Sequence, residues 1–371
     1  MNFIQIKAFS VKLHNSVRTA PPFAATSALL GSLQQAATAN HKRHAMKVPR
    51  RQFLHLAAGA TALPALSRFA WAQAYPTRPI TMIVPTTPGS PSDAVARVLA
   101  ERMRQSLGQP IIIENVGGAG GSIATGRAAR ARPDGYTIDL GIISTHVLNG
   151  AFYSLRYDVL NEFAPISLLA TAPAIFYASK TMPAKDLREL IAWLRANPNK
   201  ASAGIAIASH HLLTAFFQKE TATQFTFVPY RAIGPAMQDL VAGQIDLSFS
   251  GPDALPLVRA GSIKACAVAS DTRFALAPDI PTFREMGLPT VSYSGWWGLF
   301  APKGTPKDII GTLNAAVVEA LADPAVRSRL VDLGVEIFPH DQQTPDALGA
   351  RVKADAEKWW PLIKEFGIRA E

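Results

Sequence analysis

The chain has 371 residues, a formal net charge of +10 and a single cysteine. Its first 74 residues contain nine lysines or arginines and no acid, so the other 297, with 28 basic and 27 acidic side chains, carry only +1. The main part of the chain therefore gives no reason to expect nucleic acid or an anionic membrane as a partner, and one cysteine excludes an internal disulfide framework.

The basic segment at the start has the features of an export signal. Arg50 and Arg51 precede a modest apolar stretch at residues 56–66, and small residues follow it. This order predicts a signal peptide of the twin-arginine type over residues 46–74, with an ordinary secretory signal as the alternative.

Cleavage of this signal is predicted after Ala72 or Ala74. Residues 1–45 precede Met46 and are interpreted as a non-native or disordered extension. The mature protein is therefore expected in the periplasm. No apolar run reaches the roughly 18 residues that span a bilayer, so the mature chain is expected not to be embedded in a membrane. A mature chain of this length predicts two domains.

A polar loop at residues 86–93, here called the first loop, is the first candidate for a binding element. An apolar run at residues 80–84 precedes it, and apolar residues recur at helical spacing between residues 94 and 107. The pattern predicts a strand, a polar turn and a helix. Backbone amides at a helix start lie at the positive end of the helix dipole and suit an anion.

The second loop, residues 117–122, is rich in glycine. It follows three isoleucines at 111–113 and leads into a helical pattern that runs to Arg130. A phosphate-binding loop would need a Gly-Lys-Ser/Thr motif, and a dinucleotide fingerprint would need Gly or Ala where Ile123 stands. A small carboxylate is then the simpler ligand, and a plain tight turn is the alternative for each loop alone.

The rest of the chain alternates between strand and helix patterns. Strands are predicted at 136–143, 203–207, 226–228, 245–249 and 263–269, and helices at 187–196, 212–221, 235–242 and 255–260. These patterns predict an α/β chain with largely parallel sheets, followed from residue 307 by a mostly helical segment. Crossings between two domains are predicted near 172–176 and 295–301. Cys266 is interpreted as a buried thiol in a strand.

Several short motifs follow one another between residue 75 and residue 369. They include YPTRPI at 75–80, ENVGGAGG at 114–121, PDGYT at 133–137, VPYR at 228–231, PDIPT at 278–282 and WWGLFAP at 296–302. In this order and spacing the chain resembles the Bug-type extracytoplasmic receptors of tripartite tricarboxylate transporters. The resemblance implies a type II periplasmic-binding-protein fold, with two α/β lobes joined by two hinge crossings. Lobe 1 is expected to comprise 75–174 and 300–371, and lobe 2 to comprise 175–299.

The resemblance also implies that the two loops hold one carboxylate of the ligand. In the first loop this role falls to Thr86, Thr87, Gly89, Ser90, Ser92 and Asp93, and in the second to Gly118, Ala119, Gly120, Gly121 and Ser122. Ser144, Thr145 and His146 are expected to close the floor of the cleft at the carboxyl end of a strand. On the other lobe the candidates are Ser209, His210, Tyr230, Arg231 and Ser250.

Two positions depart from the pattern of the family. Gly89 is followed by Ser90 and Pro91 instead of a second glycine, which stiffens the turn and adds a hydroxyl. Ser250 stands where an aspartate often stands, so a ligand ammonium would lack a partner there. Mono- or dicarboxylates are therefore expected to bind better than amino acids.

Other kinds of site find less support in the sequence. His210 and His211 are adjacent and cannot both face one metal, and no cysteine or carboxylate lies at a familiar ligand offset, so no metal site is expected. A Gly-x-Ser-x-Gly elbow is absent, so no enzyme activity is expected. Arg231 could pair with the far end of a diacid, with a solvated surface arginine as the alternative.

The sequence therefore predicts a solute receptor that binds a small organic carboxylate between two lobes and delivers it to membrane permease subunits. No cofactor and no nucleic-acid partner are expected. The alternatives are a secreted α/β enzyme that acts on small carboxylic acids and a ligand-binding sensor component without a permease of its own.

Overall fold

The computed structural model describes residues 75–367. The predicted extension, the signal peptide and its cleavage sites lie outside the described residues. The described chain forms two β-sheets flanked by helices, and each sheet with its helices is called a lobe below.

The strands are numbered along the chain. The first lobe contains β1 (Ile80–Val84), β2 (Ile111–Asn115), β3 (Thr137–Ile142), β4 (Phe163–Pro173), β10 (Ser294–Pro302) and β11 (Glu336–Ile337), in the order β11-β4-β10-β3-β1-β2. The second lobe contains β5 (Ile175–Ser179), β6 (Ser202–Ile205), β7 (Thr226–Pro229), β8 (Leu247–Ser250) and β9 (Ile263–Val268), in the order β7-β6-β8-β5-β9.

The helices follow the strands in both lobes. The first lobe has α1 (Pro91–Leu107), α2 (Ser122–Ala129) and α3 (Asn149–Phe152), and the second has α4 (Leu187–Ala196), α5 (Ala208–Glu220), α6 (Ile233–Ala242) and α7 (Leu255–Arg259). After β10 come α8 (Lys307–Ala322), α9 (Pro324–Asp332) and α10 (Pro345–Glu365). Within residues 75–367, no single helix is long and apolar enough to cross a membrane; α8 and α9 meet that test only as a pair bent by 73°.

Helix α1 shows how the sequence sets the element that carries the first loop. Ser90 caps it by accepting a hydrogen bond from the Asp93 amide at 3.3 Å, and Pro91 is its first residue. Proline suits this position because its missing N–H needs no partner there. The helix ends at Gly108, whose φ of 65° is the left-handed conformation that favours glycine. These caps explain why the helix begins three residues before the predicted apolar pattern.

The prediction of largely parallel sheets is wrong, because both sheets are mixed. β1 runs parallel to β2 and β3, and β6 runs parallel to β7 and β8. The remaining pairs are antiparallel: β10 with β3 and β4, β11 with β4, and β5 with β8 and β9. The antiparallel strands include those that carry the chain from one lobe to the other.

The chain crosses between the lobes twice. β4 ends at Pro173 and β5 begins at Ile175, so the first crossing passes through Ala174. The return lies between the end of β9 at Val268 and the start of β10 at Ser294. The predicted crossing at 295–301, and with it the predicted lobe boundary after residue 299, falls inside β10, which pairs only within the first sheet.

One apolar core is shared by the two lobes. It joins Phe176 and Phe249 of the second sheet to Leu168 and Phe300 of the first, with Trp359 of α10 packed against them. Cys266 lies in this core at 7% exposure, and its burial raises the pKa of the thiol to about 12. The interpretation of this cysteine as a core residue is therefore confirmed.

Candidate functional site

A cavity of about 140 Å³ lies between the two lobes. Its wall in the first lobe consists of the loops after β1 and β2, the end of β3, and the strands near the crossings. Its wall in the second lobe consists of the starts of α5 and α6 and the turn after β8. Twelve predicted site residues line it: Thr86, Thr87, Ser90, Ser92, Gly118, Gly120, Gly121, Ser144, Ser209, His210, Arg231 and Ser250.

The polar side chains of the first loop are mostly bonded to one another. The Thr86 and Ser90 hydroxyls are 2.6 Å apart, and Ser90 also caps α1. Asp93 accepts hydrogen bonds from the Gly89 amide at 2.9 Å and from Nε of Arg97 at 3.0 Å. Burial raises the pKa of this carboxyl, but these hydrogen bonds outweigh the effect and hold it below its usual value. Gly89 and Asp93 shape the loop and do not line the cavity.

The second loop presents backbone to the cavity. Gly118 has a φ of 112° and Gly121 a φ of 87°, which side-chain-bearing residues rarely adopt. A Cβ at Gly121 would lie 2.6 Å from Cγ2 of Thr145, so no side chain fits there. No side chain caps the start of α2. The amides of Gly121 and Ser122 donate to the carbonyls of Gly118 and Ala119, so the backbone that the loop offers to a ligand is that of Gly118 and Gly120 at the cavity wall.

Asn149 holds the second loop from behind. Its side-chain nitrogen donates to the carbonyl of Gly120 at 3.0 Å and to the hydroxyl of Ser122 at 3.1 Å. Ala119 and Ser122 belong to the loop but do not line the cavity. The loop is thus fixed by the fold before any ligand arrives, which lowers the cost of ordering it on binding.

The two lobes touch across the cavity at two serines. The Ser144 hydroxyl donates to the Ser209 hydroxyl at 3.1 Å, and the Ser209 amide donates back to the Ser144 hydroxyl at 3.3 Å. Tyr293, in the second crossing, also lines the cavity. Its burial raises the pKa of the phenol, against the effect of hydrogen bonding to Ser209 and Ser144.

Thr145 and His146 do not form the floor of the cavity, contrary to the prediction. They lie behind it in a π-helical turn, Ser144–Leu148, where Thr145 bonds to the backbone of Ile142. His146 is fully buried and stacks on Phe300 at 3.9 Å. Its Nε2 is 3.6 Å from Asp139, which is 1% exposed. Burial lowers the pKa of His146 to about 3 and raises that of Asp139 to about 8, so both are neutral at pH 7.

The second lobe contributes few polar groups that have no partner. His210 is 8% exposed and lines the cavity, and its Nδ1 makes no hydrogen bond within the described chain. Burial lowers the pKa of His210 to about 4, so the ring is neutral at pH 7. Arg231 is exposed at the cavity and is not paired with any acid in the described chain. Tyr230 instead donates to Asp239 at 2.6 Å, away from the cavity.

Sequence reasoning missed several residues of the wall. Asp253 follows Ser250 by three residues and lines the cavity, as do Tyr293, Trp296 and Trp297. Trp296 is only 1% exposed and also packs in the core. The Pro252-Asp253 pair that begins a short helical turn is the signal that could have identified the acid.

The described residues contain no cluster of three or more histidine, cysteine or carboxylate side chains that could hold a metal ion. The groups at the cavity are hydroxyls, backbone amides, one neutral imidazole and one charge of each sign. Such groups bind and orient a solute and provide no paired nucleophile and base.

Two α/β lobes that enclose a solute-sized cavity define the class of two-lobed solute-binding proteins. A family model described as TctC, tripartite tricarboxylate transporter family receptor, matches residues 95–368. The chain belongs to this family, whose members are receptors and not enzymes.

Three similar proteins illustrate the match. BugT of Bordetella pertussis is 35% identical over 303 residues, which cover 80% of this chain and 92% of BugT. MatC from Rhodopseudomonas palustris, solved with bound malate, is 37% identical with a TM-score of 0.75, over 78% of this chain and all of MatC. Another R. palustris protein, solved with adipate, is 30% identical with a TM-score of 0.76, over 80% of this chain and all of the other.

Proposed function

We propose that this chain is an extracytoplasmic receptor that binds a small organic carboxylate between its lobes and delivers it to the membrane subunits of a tripartite tricarboxylate-type transporter. Membership of the TctC family supports the role in transport. The malate and adipate bound to two similar proteins support a carboxylate as the ligand.

One observation in the site carries the proposal. The second loop leads into the N-terminal end of α2 and presents, at the wall of the cavity between the two lobes, backbone that only glycine adopts readily. Free amides at a helix start bind anions through hydrogen bonds and the helix dipole. One carboxylate of the ligand is therefore assigned to this loop and to the neighbouring Thr86 and Thr87.

Carboxylic acids without an ammonium group should bind better than α-amino acids. The ammonium of an amino acid lies next to its carboxylate and so would lie near the two loops. The first-lobe residues at the cavity include no acid, since Asp93 faces Gly89 and Arg97 instead. Ser250, on the other lobe, offers a hydroxyl and no charge. An unpaired ammonium would lose its hydration without compensation.

We assign the mature protein to the periplasm, by the twin-arginine route. The pair Arg50 and Arg51 supports this, as does the periplasmic description of a similar solved protein, the binding protein BugD. Changing both arginines to lysine should leave the precursor in the cytoplasm. Continued export and processing of that variant would contradict the route and would leave the binding function untouched.

A melting screen of the purified mature protein tests the function. Mono-, di- and tricarboxylates, amino acids and neutral sugars are added separately. A ligand at a hundredfold excess over its dissociation constant stabilises the native state by about 2.7 kcal/mol, which raises the melting midpoint of a chain of this size by about 5 °C. Shifts with carboxylates are expected; shifts with sugars alone would refute the anion site, and shifts with glutamate or aspartate alone would refute the ligand preference.

A further inference from the structure

The composition of the cavity wall narrows the ligand beyond the class of carboxylates. This step rests on the proposed function, which places one carboxylate at the two loops. Between those loops and the second lobe the wall is apolar and partly aromatic. The side chains that form it include Ile143, Ile207, Ile233, Tyr293, Trp296 and Trp297.

Most polar atoms of this stretch of wall already have partners in the protein, and Nδ1 of His210 is an exception. The indole N–H of Trp297 donates to the Ser92 hydroxyl at 2.9 Å, and that of Trp296 donates to Asp355 at 2.7 Å. Ser144 and Ser209 bond to each other. The wall therefore offers ring faces and methyl groups to a ligand. An apolar body gains free energy by burial there, whereas a hydroxylated or charged chain would lose hydration.

The charges at the cavity provide for one anion and not for two. Among the described residues that line the cavity, Arg231 and Asp253 are the only ones of a type that is ordinarily charged at pH 7, since burial keeps the ring of His210 neutral. Burial also raises the pKa of Asp253. Both residues belong to the second lobe, so with Asp253 ionised the formal charge of the lining sums to zero. A second carboxylate at that end would meet the Asp253 carboxylate as well as Arg231, so its electrostatic gain is small.

The size of the cavity limits the apolar body. About 140 Å³ is similar to the roughly 150 Å³ of an apolar cavity that accommodates benzene. We infer that the ligand is a monocarboxylate with a single-ring apolar body, of the benzoate or cyclohexanecarboxylate type, with its carboxylate at the two loops and its ring between the isoleucines and Trp296 and Trp297.

Calorimetric titration of the dialysed mature protein tests this with matched acids. Benzoate and pimelate each have seven carbons but differ in shape and charge. Benzoate should bind at least about tenfold more tightly than pimelate, adipate or malate. Equal or tighter binding of the dicarboxylates would overturn the inference and leave the proposed function standing. If no carboxylate bound, or if benzamide bound as tightly as benzoate, both the inference and the proposed function would be overturned.

Two variants probe the wall directly. Ile207 precedes α5 as its N-cap, where threonine is favoured, so Ile207→Thr should fold well while it removes apolar side-chain surface from the wall. Its affinity for benzoate should fall by about threefold or more relative to its affinity for acetate. Asp253→Asn removes the acid, so the preference for benzoate over pimelate should narrow. The assignment of the ring to this wall would be contradicted if Ile207→Thr kept the parent's ratio of benzoate to acetate affinity and Asp253→Asn kept the parent's ratio of benzoate to pimelate affinity.

Discussion

The two loops that meet at the cavity are built in opposite ways. The first loop bonds its hydroxyls and its acid within itself, and Ser90 caps the helix that follows. The second loop has no such side-chain cap and presents glycine backbone at the start of α2. The first loop thus acts mainly as a rigid wall, while the second presents the backbone of Gly118 and Gly120 to an anion in the cavity.

Two buried aspartates of the first lobe differ in their surroundings. Asp93, under the first loop, accepts hydrogen bonds from Arg97 and Gly89, and they hold its pKa below the usual value despite burial. Asp139 lies in β3 behind the second loop, and neither of its carboxyl oxygens has a hydrogen-bond partner in the described chain. Tyr157 lies close enough to Asp139, Ser122 and Thr125 for all three to affect its pKa. Asp93 is therefore a carboxylate whose partners stabilise its ionised form, whereas burial without partners favours the neutral form of Asp139.

Replacement of Asp139 gives the largest expected effect. Burial raises the pKa of Asp139 to about 8, above the value of about 3.9 expected when the chain is unfolded. The folded chain then holds a proton that the unfolded chain releases, so stability falls as the pH rises from about 4 to about 8. Asp139→Asn removes this pH-dependent loss of stability. The free energy of unfolding of the variant, relative to that of the parent, should therefore increase by up to about 4 kcal/mol between pH 5 and pH 8. Chemical denaturation at several pH values measures it.

Asp93→Asn is the matched control. A lowered folded pKa contributes stability above the unfolded value, and that stability is lost as the pH falls through the folded value. Asp93→Asn should therefore destabilise the protein by a similar amount at pH 5 and at pH 8. If Asp139→Asn is less stable than the parent at pH 8, Asp139 is ionised and paired with His146, and the contrast between the two aspartates fails.

The sequence predicted the positions of the two loops well because local rules determine them. An apolar strand, a polar or glycine-rich turn and a helical pattern place both loops at the ends of parallel strands. The same local reasoning failed for β4, β5 and β10, which were not predicted as strands. Their partners lie far away in the chain, and proline and glycine within β10 resemble the composition of a loop.

The site itself was predicted only in part, for a similar reason. Thr145 and His146 follow a strand at the expected point, but the π-helical turn directs them behind the cavity. Tyr293 reaches the cavity from a distant segment, and no local pattern marks it. Ser90 lines the cavity, and its hydroxyl also caps α1, which the Ser-Pro sequence could have indicated.

A substitution at a glycine of the second loop should affect binding more than one at a glycine of positive φ elsewhere in the chain. Gly118 has φ 112° and ψ 151°, a conformation almost confined to glycine. Gly118→Ala should displace the loop and lower the affinity for the best-bound carboxylate by about tenfold or more. Gly108→Ala is the control, since Gly108 also has a positive φ, 65°, but ends α1 away from the cavity. Equal affinities in the two variants would mean that the second loop does not hold the ligand.

The smallest effect is expected at the helix cap of the first loop. Ser90→Ala removes the cap of α1 and should lower the free energy of unfolding by about 1 kcal/mol. Thr344→Ala is a matched control, because Thr344 caps α10 through the Ala347 amide at 3.1 Å and does not line the cavity. If Ser90 serves mainly as a cap, the two variants should lose similar stability in chemical denaturation, and Ser90→Ala should lose much less affinity in calorimetry than Gly118→Ala. A tenfold loss of affinity in Ser90→Ala would show that its hydroxyl contacts the ligand, and the two loops would then share the anion.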